Sequence, residues 1–473
     1  MSTSKAIRIL AVLLPLVGCS HIQNARNAQE AVKATGRGDR AEVVPVCLKG
    51  ASLEQLVAFA MTNRPSVVSA RLSVEDARLA IKELAPDAPI ISDSPWTTPL
   101  FSVSGGYNES SEGFKFGHGI GGMEGNPSAA LSVELLVYDF GRFSARSREL
   151  AEATVSAEMQ LATVGYEVFN EVADAYFTFL EKCSLLDVAR TNELLYARHL
   201  AQAEARQKAG EAYRLDILKA RLDLANARKA VVAASNLVDT SGAALMSSIG
   251  IDASRGTWCE VVGNPGLGTD MVKRGFPRTT YEVSSAYDFA RTNSPLMCVK
   301  RANLRAASFA VDYAVADAMP RISVSGGFSW TDPLWVFKWG ASAVYSLSTG
   351  LRQFVHIDRS VVAMQKAETE VIKAEQQLSV DLEVAIANRD NSIAAIESAI
   401  ASIKSAKENL DTVQEQLAVG SVSRIELSDA IASHSMAAGD VITAFYEGQR
   451  AESRLFAVIG SYPVYKEEIV REK

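Results

Sequence analysis

The chain has 473 residues, 48% of them hydrophobic, so a sizeable core is available and length alone predicts two or three domains. A net charge of -7 argues against a general nucleic-acid binder, because phosphate binding needs clustered Lys and Arg, and no basic stripe occurs.

The first residues, MSTSKAIRILAVLLPLVGCS, place Lys5 and Arg8 ahead of an apolar run from Ile9 to Val17. That pattern predicts a secretory signal over 1–18, too short to persist as a membrane-spanning helix. Leu16-Val17-Gly18-Cys19 resembles the bacterial lipobox, in which the cysteine is acylated, palmitate included, and becomes the new N-terminus. Ser20 after it resembles the outer-membrane sorting pattern of such lipoproteins. Several acyl chains on Cys19 exceed the two-signal requirement for stable anchoring. A lipidated linker is expected over 19–50. Four other cysteines, Cys47, Cys183, Cys259 and Cys298, allow three pairings, and a disulfide between Cys47 and Cys259 is one of them.

Three landmarks then occur twice in the same order. TNRP at 62–65 returns as TNSP at 292–295, SVSGG at 102–106 returns at 323–327, and Gly210 is matched by Gly420. The drift of the offset from 230 through 221 to 210 implies indels between two copies of a duplicated unit. Such a unit is far longer than an ordinary solenoid repeat. The first repeat is assigned to 51–250 and the second to 281–460, with a linking segment at 251–280 and a tail at 461–473.

Each repeat has one plan. A helical stretch (52–84; 281–318) is broken near its start by Pro65 or Pro295, because proline disfavours helix in the residue before it. Strands are predicted at about 99–110 and 128–138, and at about 320–331 and 335–348. Long segments near 142–208 and 354–418, rich in Ala, Glu, Gln, Lys and Leu, follow as helices on the order of 100 Å long. In VGYEVFNEVADAYFTFL, Val164, Val168, Val172, Ala175, Tyr176 and Phe179 recur at spacings of three and four, the signature of one buried helix face. Alanine-rich seams fit coiled-coil layers.

The strands carry the class. In WVFKWGASAVYSLS, Trp335, Phe337, Trp339, Ala341, Ala343, Tyr345 and Leu347 share one face, and the other is mixed and largely polar. Large aromatics gathered at one end of a strand suit a lipid-facing barrel wall, where Trp335, Phe337 and Trp339 form part of an aromatic girdle. Leu131, Val133, Leu135 and Val137 alternate in the same way against Ser132 and Glu134. Four strands cannot close a barrel, and open edges are excluded from hydrocarbon, so the chain must oligomerise. Three copies give twelve strands; the arithmetic permits two or four copies as well. The intervening Gly117-x-Gly119-x-x-Gly122 lacks the strand-to-helix setting of a dinucleotide fingerprint and is read as a flexible surface loop.

The strand pair ending in VYDFGR (137–142), NRP near the first helix, and the glycine turns of QKAGEAYRLDILKA and LAVGSVSRIELSDA together resemble the TolC-like outer-membrane efflux protein family, over nearly all of the mature sequence. The resemblance implies a mixed α and β membrane protein with internally duplicated halves. It implies a homotrimer whose twelve-stranded transmembrane barrel, four strands per protomer, continues as a long α-helical barrel in the periplasm. The implied function is a passive outer-membrane exit duct of a tripartite efflux or type I secretion system. Its partners would be a periplasmic adaptor (membrane fusion protein) and an inner-membrane pump or transporter, with no catalysis and no cofactor. The segment 249–280 would contribute to an equatorial belt or to the link between halves.

The same resemblance implies an adaptor-docking tip at Gly210, Glu211, Arg214, Leu215, Gly420, Ser421, Arg424 and Ile425, the glycines suiting tight turns. It places an acidic, cation-selective ring at Glu426 and Asp429, three residues apart on one helix face. Asp216 matches a residue that helps lock the entrance in some members, but its usual tyrosine and arginine partners are replaced by Leu417 and Val422. The counterpart of YDFGR in the second half is degenerate, SLSTGLR, with Gly350 retained. Val103 and Val324 are expected to share one face of the wall, lipid or lumen being left open by the motif.

An enzyme has little support. His21, His118, His199, His356 and His434 are scattered, without HExxH or any paired metal-ligand spacing. The alternative from another class is a lipid-anchored periplasmic coiled-coil scaffold or adaptor without a pore. It accounts for Cys19 and the long helices, but not for the aromatic alternation or for strands placed alike in both halves.

Overall fold

The computed structural model describes residues 52–84, 100–108, 126–208, 214–251, 283–331, 334–344, 350–419 and 421–460. The leader, Cys19, Cys47, Cys259, the Gly117–Gly122 stretch, Gly210, Glu211, Gly420 and the tail from 461 therefore lie outside the described residues, as do the side chains of Trp335 and Arg424.

In chain order the elements are α1 (Leu53–Asn63), α2 (Pro65–Leu84), β1 (Leu100–Asn108), β2 (Asn126–Tyr138), α3 (Arg142–Lys208) and α4 (Arg214–Ser248). The second half repeats them as α5 (Val283–Asn293), α6 (Pro295–Asp317), β3 (Arg321–Thr331), β4 (Leu334–Val344), α7 (Gly350–Val419) and α8 (Arg424–Ile459). The two strand pairs and the two long helices thus stand where the sequence places them, α7 beginning four residues earlier than expected, at Gly350.

Each proline break is a single residue. Arg64 (φ -70°, ψ 128°) and Ser294 (φ -61°, ψ 124°) are extended, as a residue before proline prefers to be, and Pro65 and Pro295 open the next helix, where a missing N–H is harmless. Ser52 and Gln55 close a reciprocal capping box on α1.

A further duplicated feature sits opposite these breaks. Gly250 and Gly460, 210 residues apart, follow α4 and α8 with φ of +85° and +74°, in the left-handed region that suits glycine. Gly250 packs on Arg64 and Gly460 on Ser294, so each half closes its last helix onto its first proline break. The Tyr166 hydroxyl donates to the Gly460 carbonyl at 3.0 Å, tying this joint to α3.

The helices pack side by side. α3 contacts α1, α2, α4, α6 and α8, whereas α7 contacts α5, α6 and α8. Being flanked on several sides, α3 buries more than one stripe: Val168, Val172 and Phe179 are buried as the spacing predicts, together with Phe169, Ala173 and Leu180, while Val164, Ala175 and Tyr176 are half-buried. Small apolar clusters recur along the bundle, among them Tyr196, Leu224, Ala227, Leu410, Leu427, Ala430 and Ile431 between the two halves. Cross-half ion pairs add to them. Arg450 reaches the buried Glu181 at 2.7 Å and Arg454 reaches Asp174 at 2.8 Å.

The four strands form one antiparallel sheet in the order β1-β2-β3-β4, leaving β1 and β4 as edges within the chain. No helix among the described residues is long and apolar enough to cross a membrane.

Candidate functional site

The sheet register sorts the strand residues onto two faces. Position Val103 pairs with Leu131, Leu131 with Phe328, and Phe328 with Phe337, so one row crosses all four strands. Stepping by two along each strand adds positions Phe101 and Tyr107, Val133 and Leu135, Val324 and Trp330, and Trp335, Trp339 and Ala341. Every residue of this face is apolar or glycine. The opposite face holds Ser102, Ser104, Ser132, Glu134, Ser323, Ser325 and Lys338, with Ser323 and Ser342 hydrogen-bonded through their hydroxyls at 3.0 Å.

Val324, Phe328, Phe337 and Trp339 are exposed in the single chain, Trp339 at 78%, and Phe328 and Phe337 stack at 4.7 Å. A water-facing sheet would leave such a face uncovered, whereas a lipid-facing one requires it. The two SVSGG copies are not side by side. Val103 aligns with Phe328, four residues beyond its repeat counterpart Val324. An even stagger preserves the face, so both valines share the apolar side. Staggered pairing is also what barrel closure demands.

VYDFGR is the joint between sheet and helix. Asp139 is buried, its two carboxylate oxygens accepting from the N–H groups of Gly141 (3.1 Å) and Phe143 (2.6 Å) at the start of α3. Phe140 (φ 57°) and Gly141 (φ 86°) turn the chain through left-handed conformations. Arg142 then donates to the carbonyls of Ala316 (3.3 Å) and Asp317 (3.0 Å) at the end of α6 and pairs with the Asp317 carboxylate at 3.0 Å. A cation there complements the negative end of the helix. The motif thus fastens the root of β2 to the second half; its role was not legible from the motif alone, because α6 lies far away in sequence.

At the other end of the bundle lie the ends of two helical hairpins. Arg214, Leu215 and Asp216 begin α4, and Ile425 and Glu426 lie in the first turn of α8. Leu215 and Ile425 are exposed, as are Ser421, Glu426 and Asp429. Ser423 caps α8 by accepting from the Glu426 N–H at 3.4 Å, and Ser421 bonds back to the Gln416 carbonyl, which holds the turn in shape. Leu427 and Ala430 lie in the apolar cluster, while Glu426 and Asp429 on the same helix stay exposed. Leu417 packs against that same cluster, so it contributes packing and no polar contact of the kind a tyrosine would.

A polar tie that sequence reading missed joins the hairpins nearby. The Ser428 hydroxyl donates to Asp223 of α4 at 3.2 Å, and the Tyr196 hydroxyl of α3 contacts the Ser428 carbonyl at 3.5 Å. Burial pushes the Tyr196 hydroxyl pKa up, the Ser428 hydrogen bond opposes this, and Asp223 and Asp429 add to the rise. No motif marks this tie, since its partners are more than 200 residues apart.

A sheet with one wholly apolar face, rooted on helices of 67 and 70 residues and repeated within the chain, defines the class of an outer-membrane channel with a helical extension. The sequence pattern of the outer membrane efflux protein family matches residues 56–251 and 286–461. The chain belongs to that family, whose members are exit ducts of tripartite efflux systems. No curated protein sequence matches the chain.

Solved structures agree in fold. CusC, described in terms of folding and transmembrane channel formation, superposes with a TM-score of 0.71 at 17% identity, over 87% of this chain and 92% of that one. The outer membrane protein VceC of Vibrio cholerae gives 0.70 at 13% identity, over 86% and 96%. The open state of the MtrE outer membrane channel of Neisseria gonorrhoeae gives 0.69 at 16% identity, over 90% and 94%.

Proposed function

We propose that three copies of this chain close their sheets into a twelve-stranded barrel in the outer membrane and continue it as a helical tunnel in the periplasm. The observation that carries this is the open four-stranded sheet with one wholly apolar face. Its two edges would be unpaired in lipid, where an unsatisfied backbone group costs several kcal/mol, so closure by further copies is required. Position Trp335 with Phe337 and Trp339 forms part of an aromatic girdle, and Cys19 carries the acyl anchor.

The hairpin ends form the periplasmic entrance. Gly210, Glu211, Arg214, Leu215, Gly420, Ser421, Arg424 and Ile425 dock the adaptor, through which an inner-membrane pump or type I secretion transporter delivers cargo. Exposed Leu215 and Ile425 support this, offering apolar contacts at both tips. Glu426 and Asp429, exposed in the single chain and three residues apart on α8, form an acidic ring when threefold repeated. Leu417 and Val422 stand at the positions of the family's usual lock residues, and the Tyr196–Ser428–Asp223 tie helps hold the hairpins together.

The test is conductance of the purified full-length protein in planar bilayers. Cation-selective channels are expected, with selectivity reduced in Glu426→Ala plus Asp429→Ala. Absence of any channel would contradict the duct, and unchanged selectivity would contradict the acidic ring. A poreless periplasmic scaffold leaves the exposed apolar sheet unexplained.

A further inference from the structure

The two closing glycines arrange the helices in columns. Gly250, after α4, packs on Arg64 ahead of α2, and Gly460, after α8, packs on Ser294 ahead of α6. α4 with α2 and α8 with α6 therefore stack end to end beside the unbroken α3 and α7. The short helices α1 and α5 stand outside these columns. α5 lies against α7 and α8, its Ala286 packed with Leu382, Ile386 and Leu455. In a closed duct α5 marks the outer surface, because short helices from every copy on the inside would fill the bore.

A groove of about 550 Å³ runs between α7 and α8 on the other side of this wall. One flank is Asn388, Asn391 and Ser392 of α7, and the other is Glu447, Arg450 and Arg454 of α8, with alanines between them. Asn388 and Asn391 are each turned more than about 100° round α7 from Leu382 and Ile386, the positions that meet α5. The groove therefore opens toward the bore. Its arginines are held in place from α3. Arg450 donates through Nη1 to Glu181 at 2.7 Å and to Thr178 at 3.4 Å, and Arg454 donates through Nη2 to Asp174 at 2.8 Å. A guanidinium carries five N–H groups, so both retain further donors. Glu447 is exposed and makes no ion pair among the described residues.

The order of these groups is informative. Glu447 and Arg454 stand seven residues apart on one face of α8, about 10 Å along the helix. A carboxylate lies at one end and a guanidinium fork at the other, and the carboxamides of Asn388 and Asn391, which both donate and accept, face them from α7. We infer that this groove is a transit subsite on the tunnel wall for a short zwitterionic peptide, its ammonium on Glu447 and its carboxylate on Arg454. The inference rests on the duct reading above and goes beyond it by naming a solute class that the wall holds. A simple ion would use one end of the groove only, and an apolar solute would find no apolar flank. The groove is open, which suits a duct, since a solute must leave as readily as it enters.

Saturation-transfer NMR with triglycine on the full-length protein in detergent tests this. Triglycine should take up saturation, and N-acetyltriglycine, which lacks the ammonium, and triglycinamide, which lacks the carboxylate, should each bind about tenfold more weakly, the loss expected for one ionic contact. Glu447→Gln should abolish the preference for triglycine over N-acetyltriglycine, and Asn391→Ala should weaken triglycine binding. Arg454→Gln also breaks the contact with Asp174, so the exposed Glu447 carries the test. Equal transfer to all three peptides, or a preference unchanged in Glu447→Gln, overturns the subsite. Conductance of the same preparation in planar bilayers is measured alongside. A conducting protein that ignores triglycine overturns the subsite and leaves the duct standing; triglycine binding without any channel overturns the duct and, with it, the transit role.

Discussion

The helices α3 and α7 occupy the same place in the two repeats and have nearly the same length, yet they face different surroundings. α3 is enclosed: its outward carboxylates Glu152 and Asp174 find arginines of the second half, and Glu181 is buried against Arg450 and Lys182. α7 has valines at the first two of these positions, and they stand exposed. Exposed aliphatic residues in line on a long helix form an apolar stripe, whereas the ion-paired carboxylates of α3 sit in a closed contact. The difference teaches that two copies of one duplicated unit can diverge in what the same helix position packs against.

The largest expected effect tests the internal seam. Glu181→Ala strands Arg450 in a part-buried position, and breaking such a pair costs about 3–5 kcal/mol, read as a lowered denaturation midpoint. Next, the two closing glycines can be set against one another. At Gly460 a Cβ would stand 3.2 Å from the Ser294 Cα and 3.3 Å from the Asn293 carbonyl oxygen, whereas at Gly250 the nearest atom is 3.6 Å away. Alanine in a left-handed conformation costs about 1–3 kcal/mol, so Gly460→Ala should lie near the upper end and Gly250→Ala near the lower. Equal losses in thermal unfolding would mean that the two joints are not packed differently.

Asp139→Ala should remove about 1 kcal/mol of helix capping and speed hydrogen exchange in the first turn of α3, with the start of α7 unchanged. The smallest effect belongs to the tip. A double-mutant cycle of Ser428→Ala and Asp223→Ala should give a coupling of about 0.5–1.5 kcal/mol, typical for one hydrogen bond. Zero coupling would remove the tie from the account of how the hairpins are held.

Much of this architecture was legible because duplication writes it twice. TNRP and TNSP located both proline breaks, and the alternation from Trp335 to Ala343 located a strand whose described part ends at Val344. The shared face of Val103 and Val324 was legible as well, but its wholly apolar character required the register, because the four-residue stagger is set by pairing across β2. The Asp139–Arg142 joint, the Gly250 and Gly460 closures and the Tyr196–Ser428–Asp223 tie were not legible. Each depends on backbone sign or on partners brought together from distant segments, and neither leaves a local pattern. At the tip, Glu426 and Asp429 are exposed, and Leu417 is accounted for by packing.

The central claim is that the apolar face of the sheet meets lipid and the serine-rich face meets water. Phe337 and Lys338 are adjacent on β4 and lie on opposite faces. Each is replaced singly by cysteine, and the full-length protein in liposomes is treated with a charged, membrane-impermeant maleimide, labelling being read by mass spectrometry of the strand peptide. The account predicts rapid labelling at 338 and protection at 337; equal labelling at both positions would contradict it.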